Sequence, residues 1–300
     1  DAKIGSTLRG IGPTYRDKIG RSGLRVGDIN TANFDIKYKA AVERHIALIE
    51  HFGFTDYNLP ELEEEFFSAV DFLKQFKKVK SEYYINEALS NGTKILAEGA
   101  QGTLLDVDFG SYPFVTSSNT IAGGATVGLG ISPRAIDGVK GIFKAYCTRV
   151  GNGPFPTELD DEDGQRLRDI GREYGATTGR PRATGWLDMV ALKYAVMLNG
   201  ITELYMMKAD VLSGFKKVKV CTAYKINGEI THEMPFEMND AVIEPVYEEF
   251  DGWDEDLMIC RSWDSLPKTF QDFVIAVEKM AGAPINIVSV GPDREQTIIR

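Results

Sequence analysis

From Thr93 onward the chain repeats one texture, a short apolar run that ends in a polar loop and is followed by a helical pattern. Residues 94–97 run into Glu98-Gly-Ala-Gln-Gly, 139–147 into Arg149-Val-Gly-Asn-Gly-Pro, 204–207 into Lys208-Ala-Asp and 285–290 into Gly291-Pro-Asp-Arg. Apolar residues recur at helical spacing over 164–174, 187–198 and 267–280. Strands that alternate with helices cross over and pair in parallel. The sequence therefore predicts an α/β fold, with a mostly parallel central sheet and flanking helices. Ligands of such sheets bind beyond the carboxyl ends of the strands, where each of these loops lies. Asn227-Gly228, between the runs 216–224 and 229–233, predicts an antiparallel hairpin annex.

Upstream, residues 34–52 read as one helix and 60–91 as another, opened by Pro60 and stopped by Gly92. Residues 1–30, Gly-rich and basic, read as an ordered loop anchored by Leu24 and Val26. The whole is expected to be a single domain over 1–300 with a helical insertion at 34–92.

Composition narrows the class of function. With 300 residues and 43% apolar content the chain has ample material for a core. A net charge of −10 argues against general nucleic-acid binding. No run is apolar enough to cross a bilayer. The cysteines Cys147, Cys221 and Cys260 are far apart, without ligand spacing, and read as reduced thiols of a cytoplasmic protein. None of His45, His51 and His232 pairs with a cysteine or an acidic cluster at metal-ligand spacing.

The densest chemistry lies in Gly175-Ala-Thr-Thr-Gly-Arg-Pro-Arg-Ala-Thr-Gly-Trp-Leu-Asp188. Pro181 presses Arg180 toward an extended backbone, in which Arg180 and Arg182 face one side and can converge on one cleft. Thr177, Thr178 and Thr184 add hydroxyls, and Gly175, Gly179 and Gly185 would let backbone N–H groups approach a ligand. Such a loop suits a carboxylate or a phosphate; a solvated basic turn is the plainer alternative.

Asp210, in Lys208-Ala-Asp at a strand end, could accept from the N1–H and 2-amino group of guanine, a pair adenine lacks. Ser289-Val-Gly at another strand end could flank the same base; a surface ion pair would explain Lys208 and Asp210 equally. Gln101 can donate and accept against a purine oxygen. Thr116, Ser117, Ser118 and Asn119 could satisfy a phosphate and start a helix, inside which Gly123, Gly124, Gly128 and Gly130 serve tight packing.

Nine segments taken together resemble the adenylosuccinate synthetase family. They are Gly10-Ile-Gly-Pro13, Gly23-Leu-Arg-Val-Gly-Asp28, Glu98-Gly-Ala-Gln-Gly-Thr-Leu-Leu-Asp106, Val115-Thr-Ser-Ser-Asn119 and Thr148-Arg-Val-Gly151. The others are Gly153-Pro-Phe-Pro-Thr-Glu158, Thr177-Thr-Gly-Arg180, Gly185-Trp-Leu-Asp188 and Gly291-Pro-Asp-Arg294, and all run in order from end to end. The resemblance implies a P-loop-GTPase-like fold and a ligase of purine (AMP) biosynthesis, which forms adenylosuccinate from IMP and L-aspartate with GTP and Mg²⁺. In that family the γ-phosphoryl of GTP passes to the 6-oxygen of IMP, and the phosphate leaves as the aspartate amine attacks C6.

The roles implied follow residue by residue. Thr7, Gln101, Thr116 and Arg180 match IMP-contacting positions, with Gln101 placing the 6-oxygen. Arg21 matches the arginine that reaches the IMP of the partner subunit in a homodimer. Arg9, Ala176, Thr177, Thr178, Gly179, Arg180, Pro181 and Arg182 match the aspartate-binding region, and Arg182 also lies close to GTP. Lys208, Ala209, Asp210, Ser289, Val290 and Gly291 match positions around the guanine.

The family's phosphate-binding glycine loop, its metal-binding and base aspartate and its acid histidine have no match here, so no metal ligand is assigned. The chain, which opens on Asp1, is expected to be the larger C-terminal part of the enzyme and inactive alone. A non-catalytic purine-nucleotide-binding or dimerisation module is the alternative. Leu8 (where the family commonly has Gly), Ala209 and Val290 depart mildly from the pattern.

Overall fold

The computed structural model describes residues 8–175, 179–239 and 241–300. These divide into two compact units, Leu8–Ile95 and Leu96–Arg300.

The first unit is helical, with α1 (Ile11–Ile19), α2 (Phe34–His51), α3 (Leu59–Lys74) and α4 (Ser81–Ser90). Phe34 and Tyr38, one turn apart on α2, are its main buried residues together with Val70 of α3. The Tyr38 ring lies 4.9 Å from both Phe66 and Phe67 of α3. Burying the Tyr38 ring contributes about 2 kcal/mol. His45 Nε2 meets Asp17 Oδ2 at 2.8 Å and fastens α1 to α2.

Two expectations change here. Residues 11–19 are a helix rather than loop, started at Gly10 in a left-handed conformation (φ 76°). The stretch 60–91 is two helices. α3 ends at Lys74, where Lys78 Nζ caps the carbonyls of Lys74 and Phe76, and the like charges of Lys77, Lys78 and Lys80 disfavour continuing.

The second unit is α/β. A four-stranded sheet has the order β1-β5-β9-β10, from β1 (Lys140–Lys144), β5 (Glu203–Met207), β9 (Ile285–Ser289) and β10 (Thr297–Ile299). The first three are parallel, with Phe143 opposite Met206 and Met206 opposite Val288, and β10 closes one side antiparallel. β2 (Cys147–Arg149) pairs antiparallel with β3 (Ala183–Gly185). β4 (Leu187–Asp188) runs parallel to the long β6 (Lys217–Ile226). β7 (Glu229–Thr231) and β8 (Ile243–Asp251) pair antiparallel with β6.

The helices are α5 (Gly123–Leu129), α6 (Glu162–Gly171), α7 (Met189–Asn199) and α8 (Lys268–Ala281). α8 buries Phe270, Phe273, Val274, Val277 and Ala281, a stripe at helical spacing, with Trp253 packed on the first two rings. Asn227 and Gly228, both at positive φ, form the expected hairpin turn.

Residues 94–97 form no strand. Ile95 and Leu96 are exposed, and without a hydrogen-bonded neighbour an apolar run is not a strand. Residues 139–147 divide between β1 and β2, which belong to different sheets.

Candidate anion and nucleotide site

Because β1, β5 and β9 are parallel, their carboxyl ends open on one edge of the sheet. Tyr146 follows β1 and is fully buried, while Ala145 N–H donates to Met207 O at 2.9 Å and locks the ends of β1 and β5 in line. Lys208 follows β5 in a left-handed conformation (φ 59°), which turns the chain at once into the short 3-10 helix Ala209–Leu212. Ser289 closes β9 and donates its hydroxyl to Gly291 O at 2.9 Å. The two segments expected around guanine therefore stand at the ends of adjacent strands. Val290 itself points into the core and is fully buried, so its missing hydroxyl faces no ligand.

The centre of this edge is a residue the sequence did not single out. Glu173 is 0% exposed. Its Oε1 accepts from Lys144 Nζ at 2.9 Å, Tyr146 Oη at 2.5 Å and Lys208 Nζ at 2.9 Å, and its Oε2 accepts from Arg182 Nη1 at 2.9 Å. Burial would raise its pKa, but the donors Tyr146, Lys144 and Lys208 outweigh that and hold it at about 2. Burial pushes the Lys144 ammonium down against the pull of the carboxylate.

One carboxylate thus gathers three cations, and the cluster keeps a net positive charge. Two further bonds complete it: Lys208 Nζ donates to Gly171 O at 2.6 Å, and Arg182 N–H donates to Glu173 O at 2.9 Å. Arg182 Nε is buried without an acceptor.

The helical spacing over 164–174 runs through this residue, but the helix itself stops short of it. α6 ends at Gly171 and Arg172 takes a left-handed turn (φ 49°), which reverses the direction of Glu173. Gly171 is required by contact, since a Cβ there would stand 2.3 Å from Tyr146 Oη. A glutamate directly before a loop rich in glycine and arginine was the one available signal.

Asp210 is half-buried on the 3-10 turn, and burial raises its pKa while Lys208 lowers it. A carboxylate taken out of water in this way favours a ligand that brings its own N–H donors. The N1–H and 2-amino pair of guanine has that chemistry.

A second cluster forms around Asp106, which is also 0% exposed. Its Oδ1 accepts from the backbone N–H of Asp108 (3.0 Å) and Phe109 (3.1 Å), and its Oδ2 from Thr120 (2.6 Å) and Ile121 (3.3 Å). These bonds overcome burial and keep its pKa below the usual carboxylate value. The loop closed in this way brings Gln101 Nε2 to 3.3 Å from Thr116 Oγ1, so two expected IMP positions meet.

Arg149 braces the same loop through Ser111 Oγ at 3.2 Å and Phe114 O at 3.3 Å. The helix expected to start at residues 116–119 begins instead at Gly123. Asn119 and Thr120 spend their side chains on Asp108 and on the carbonyl of Gly102. Gly124 does serve packing, because a Cβ there would lie 2.6 Å from Asn119 O.

The loop 175–188 divides differently from expectation. Arg182 is half-buried on Glu173, whereas Arg180 and Pro181 are exposed. The N–H of Gly175 donates to Arg180 O at 2.8 Å and that of Gly179 to Gly175 O at 2.7 Å, so both are used inside the turn. Gly179 holds φ 63°. Gly185 is buried in β3, where a Cβ would stand 2.1 Å from Thr157 O, so close strand packing requires it and not a ligand.

Ala176, Thr177, Thr178 and Thr7 lie outside the described residues. Arg9 and Arg21 are exposed residues of the helical unit, and Arg21 has φ 60°. Leu8 also has positive φ (56°), a conformation that favours glycine.

The adenylosuccinate synthetase family model matches residues 1–298. The chain belongs to the adenylosuccinate synthetase family. It is similar to adenylosuccinate synthetases of Christiangramia forsetii, 59% identical over all of this chain and 71% of that protein, and of Parabacteroides distasonis, 55% identical over 99% and 70%. The fully ligated adenylosuccinate synthetase of Plasmodium falciparum superposes with a TM-score of 0.93 at 39% identity, over 99% of this chain and 71% of that one.

As a family member the chain is of the ligase class, serving GTP-dependent adenylosuccinate formation in purine biosynthesis. Among the described residues no helix is long and apolar enough to cross a membrane. No three His, Cys, Asp or Glu side chains among them cluster as a metal site.

Proposed function

We propose that the edge formed by β1, β5 and β9 binds GTP, with Asp210 accepting from the guanine N1–H and 2-amino group and Lys208 covering the base with its stem. Ala209, Ser289, Val290 and Gly291 contribute main chain or packing around the base. Arg182 serves both aspartate and GTP, with Ala176, Thr177, Thr178, Gly179, Arg180, Pro181 and Arg9 completing the aspartate region. Gln101 places the 6-oxygen of IMP, and Thr7, Thr116 and Arg180 hold the nucleotide. Arg21 reaches the IMP of a partner copy in a homodimer.

The observation that supports this most directly is the meeting of Lys208-Ala-Asp210 and Ser289-Val-Gly291 at adjacent parallel strand ends. The chemistry these residues perform is electrostatic and positional: cations offset phosphate and carboxylate charge, and Gln101 orients the reacting oxygen. Mg²⁺, which the family uses with GTP, finds no ready cluster of ligands among the described residues.

Calorimetric titration with GTP and ATP tests the reading. The chain is expected to prefer GTP, and Asp210→Asn to lose about tenfold or more of that preference, since the amide opposes a donor to a donor. Equal affinity of the unmodified chain for GTP and ATP would overturn it.

A further inference from the structure

We infer that Glu173 is a positioning residue that sets the guanine-side Lys208 and the aspartate-side Arg182 against each other, so that the two binding events share one carboxylate. The inference rests on the reading of Lys208 and Arg182 given above and adds a residue to it.

The geometry carries it. The four donors come from three separate segments: Lys144 and Tyr146 from the end of β1 and the turn after it, Arg182 from the loop before β3 and Lys208 from the turn after β5. Lys208 and Arg182 occupy different oxygens, so neither displaces the other. Arg182 is fixed twice, through its guanidinium and through its main-chain N–H. Lys208 is fixed twice as well, on Glu173 and on Gly171 O.

Without the carboxylate, Lys144, Arg182 and Lys208 would repel one another and spread. With it, both cationic heads are already placed before a ligand arrives, and the ordering cost of binding is reduced. An anion that binds one head in place leaves the carboxylate holding the other, so occupancy of one subsite steadies the other, and by the same factor in both directions.

The experiment titrates the full chain and its Glu173→Gln variant with GTP, with L-aspartate and with IMP, alongside thermal melts. Glu173→Gln retains shape and removes charge. The expected result is a loss of about tenfold or more in affinity for GTP and for L-aspartate, with a clearly smaller loss for IMP, which depends on this loop only through Arg180 while Gln101 and Thr116 stand on the separate Asp106 cluster. GTP and L-aspartate affinities that match the unmodified chain overturn the inference while leaving the nucleotide reading standing. An equal loss for all three ligands also overturns it, since that is the signature of general damage. If the unmodified chain binds no GTP, the reading of the site fails and takes the inference with it.

Tyr146→Phe supplies a second arm that keeps all three cations. The groups facing Glu173 are Lys144, Tyr146, Arg182 and Lys208, and Asp210 acts on Tyr146 from the β5 side. Losing the tyrosine donor leaves Glu173 one hydrogen bond short while its three cations remain, so affinities for GTP and for L-aspartate are expected to fall together, by less than in Glu173→Gln. Affinities for both ligands that match the unmodified chain overturn the inference even where Glu173→Gln does not fold.

Discussion

Arg182 is bound to Glu173 twice, its main-chain N–H on the Glu173 carbonyl at 2.9 Å and its Nη1 on the carboxylate at 2.9 Å. Backbone and side chain of one arginine thus depend on one glutamate, which joins the conformation of the loop to the charge state of the cluster.

The first prediction concerns acid. The Glu173 carboxyl lies at about 2 in the folded chain against an ordinary value of 4.5. A depressed folded value adds stability that is fully present above the unfolded value and is lost as pH falls through the folded one. The window is therefore from pH 4.5 down to about 2, and the contribution is about 3 kcal/mol. Denaturant melts of the unmodified chain and of Glu173→Gln should differ most near neutral pH and converge toward the bottom of that window. A difference that stays constant with pH would refute the linkage.

Asp106 supports the second prediction. Asp106→Ala leaves four backbone donors, from Asp108, Phe109, Thr120 and Ile121, without their acceptor. The expected cost is about 3–6 kcal/mol, with IMP affinity falling by about tenfold or more as Thr116 drifts from Gln101. Chemical denaturation with parallel IMP titration reads both effects. Retained IMP affinity in a folded variant would show that the loop holds its shape without the carboxylate.

Asp188 carries the third. Its Oδ1 caps α7 through Ala191 N–H at 3.1 Å, and its Oδ2 takes the buried Tyr224 hydroxyl at 2.6 Å. Asp188→Ala loses a cap and strands a hydroxyl, a destabilisation of about 2–4 kcal/mol. Adding Tyr224→Phe to that variant should recover part of the loss, because the stranded donor is then gone. Strictly additive losses in the double-mutant cycle would rule out the coupling.

What the sequence disclosed depended on how local the cause was. β5, β9, α7 and α8 were legible because apolar spacing and flanking glycines act within a few residues, and Asn227-Gly228 specifies its own turn. β8 was not, since Ile243–Asp251 carries Pro245 and a run of acids that read as polar chain until β6 pairs with it. Residues 94–97 failed in the opposite direction, apolar enough for a strand yet unpaired. Lys208, Asp210, Arg182, Gln101 and Thr116 could be named from motif and resemblance. Glu173 could not, because every group that gives it meaning except Arg182 lies 27 or more residues away along the chain.

The dispersal of that cluster bears on how the chain reaches its native state. Contacts so distant in sequence must meet the entropy of loop closure before they return any attraction. Three like charges oppose the approach of β1 to β5 until the glutamate arrives between them. In the native register the ends of β1 and β5 bring Lys144 and Lys208 to the same Glu173 oxygen, so the ion cluster favours that alignment.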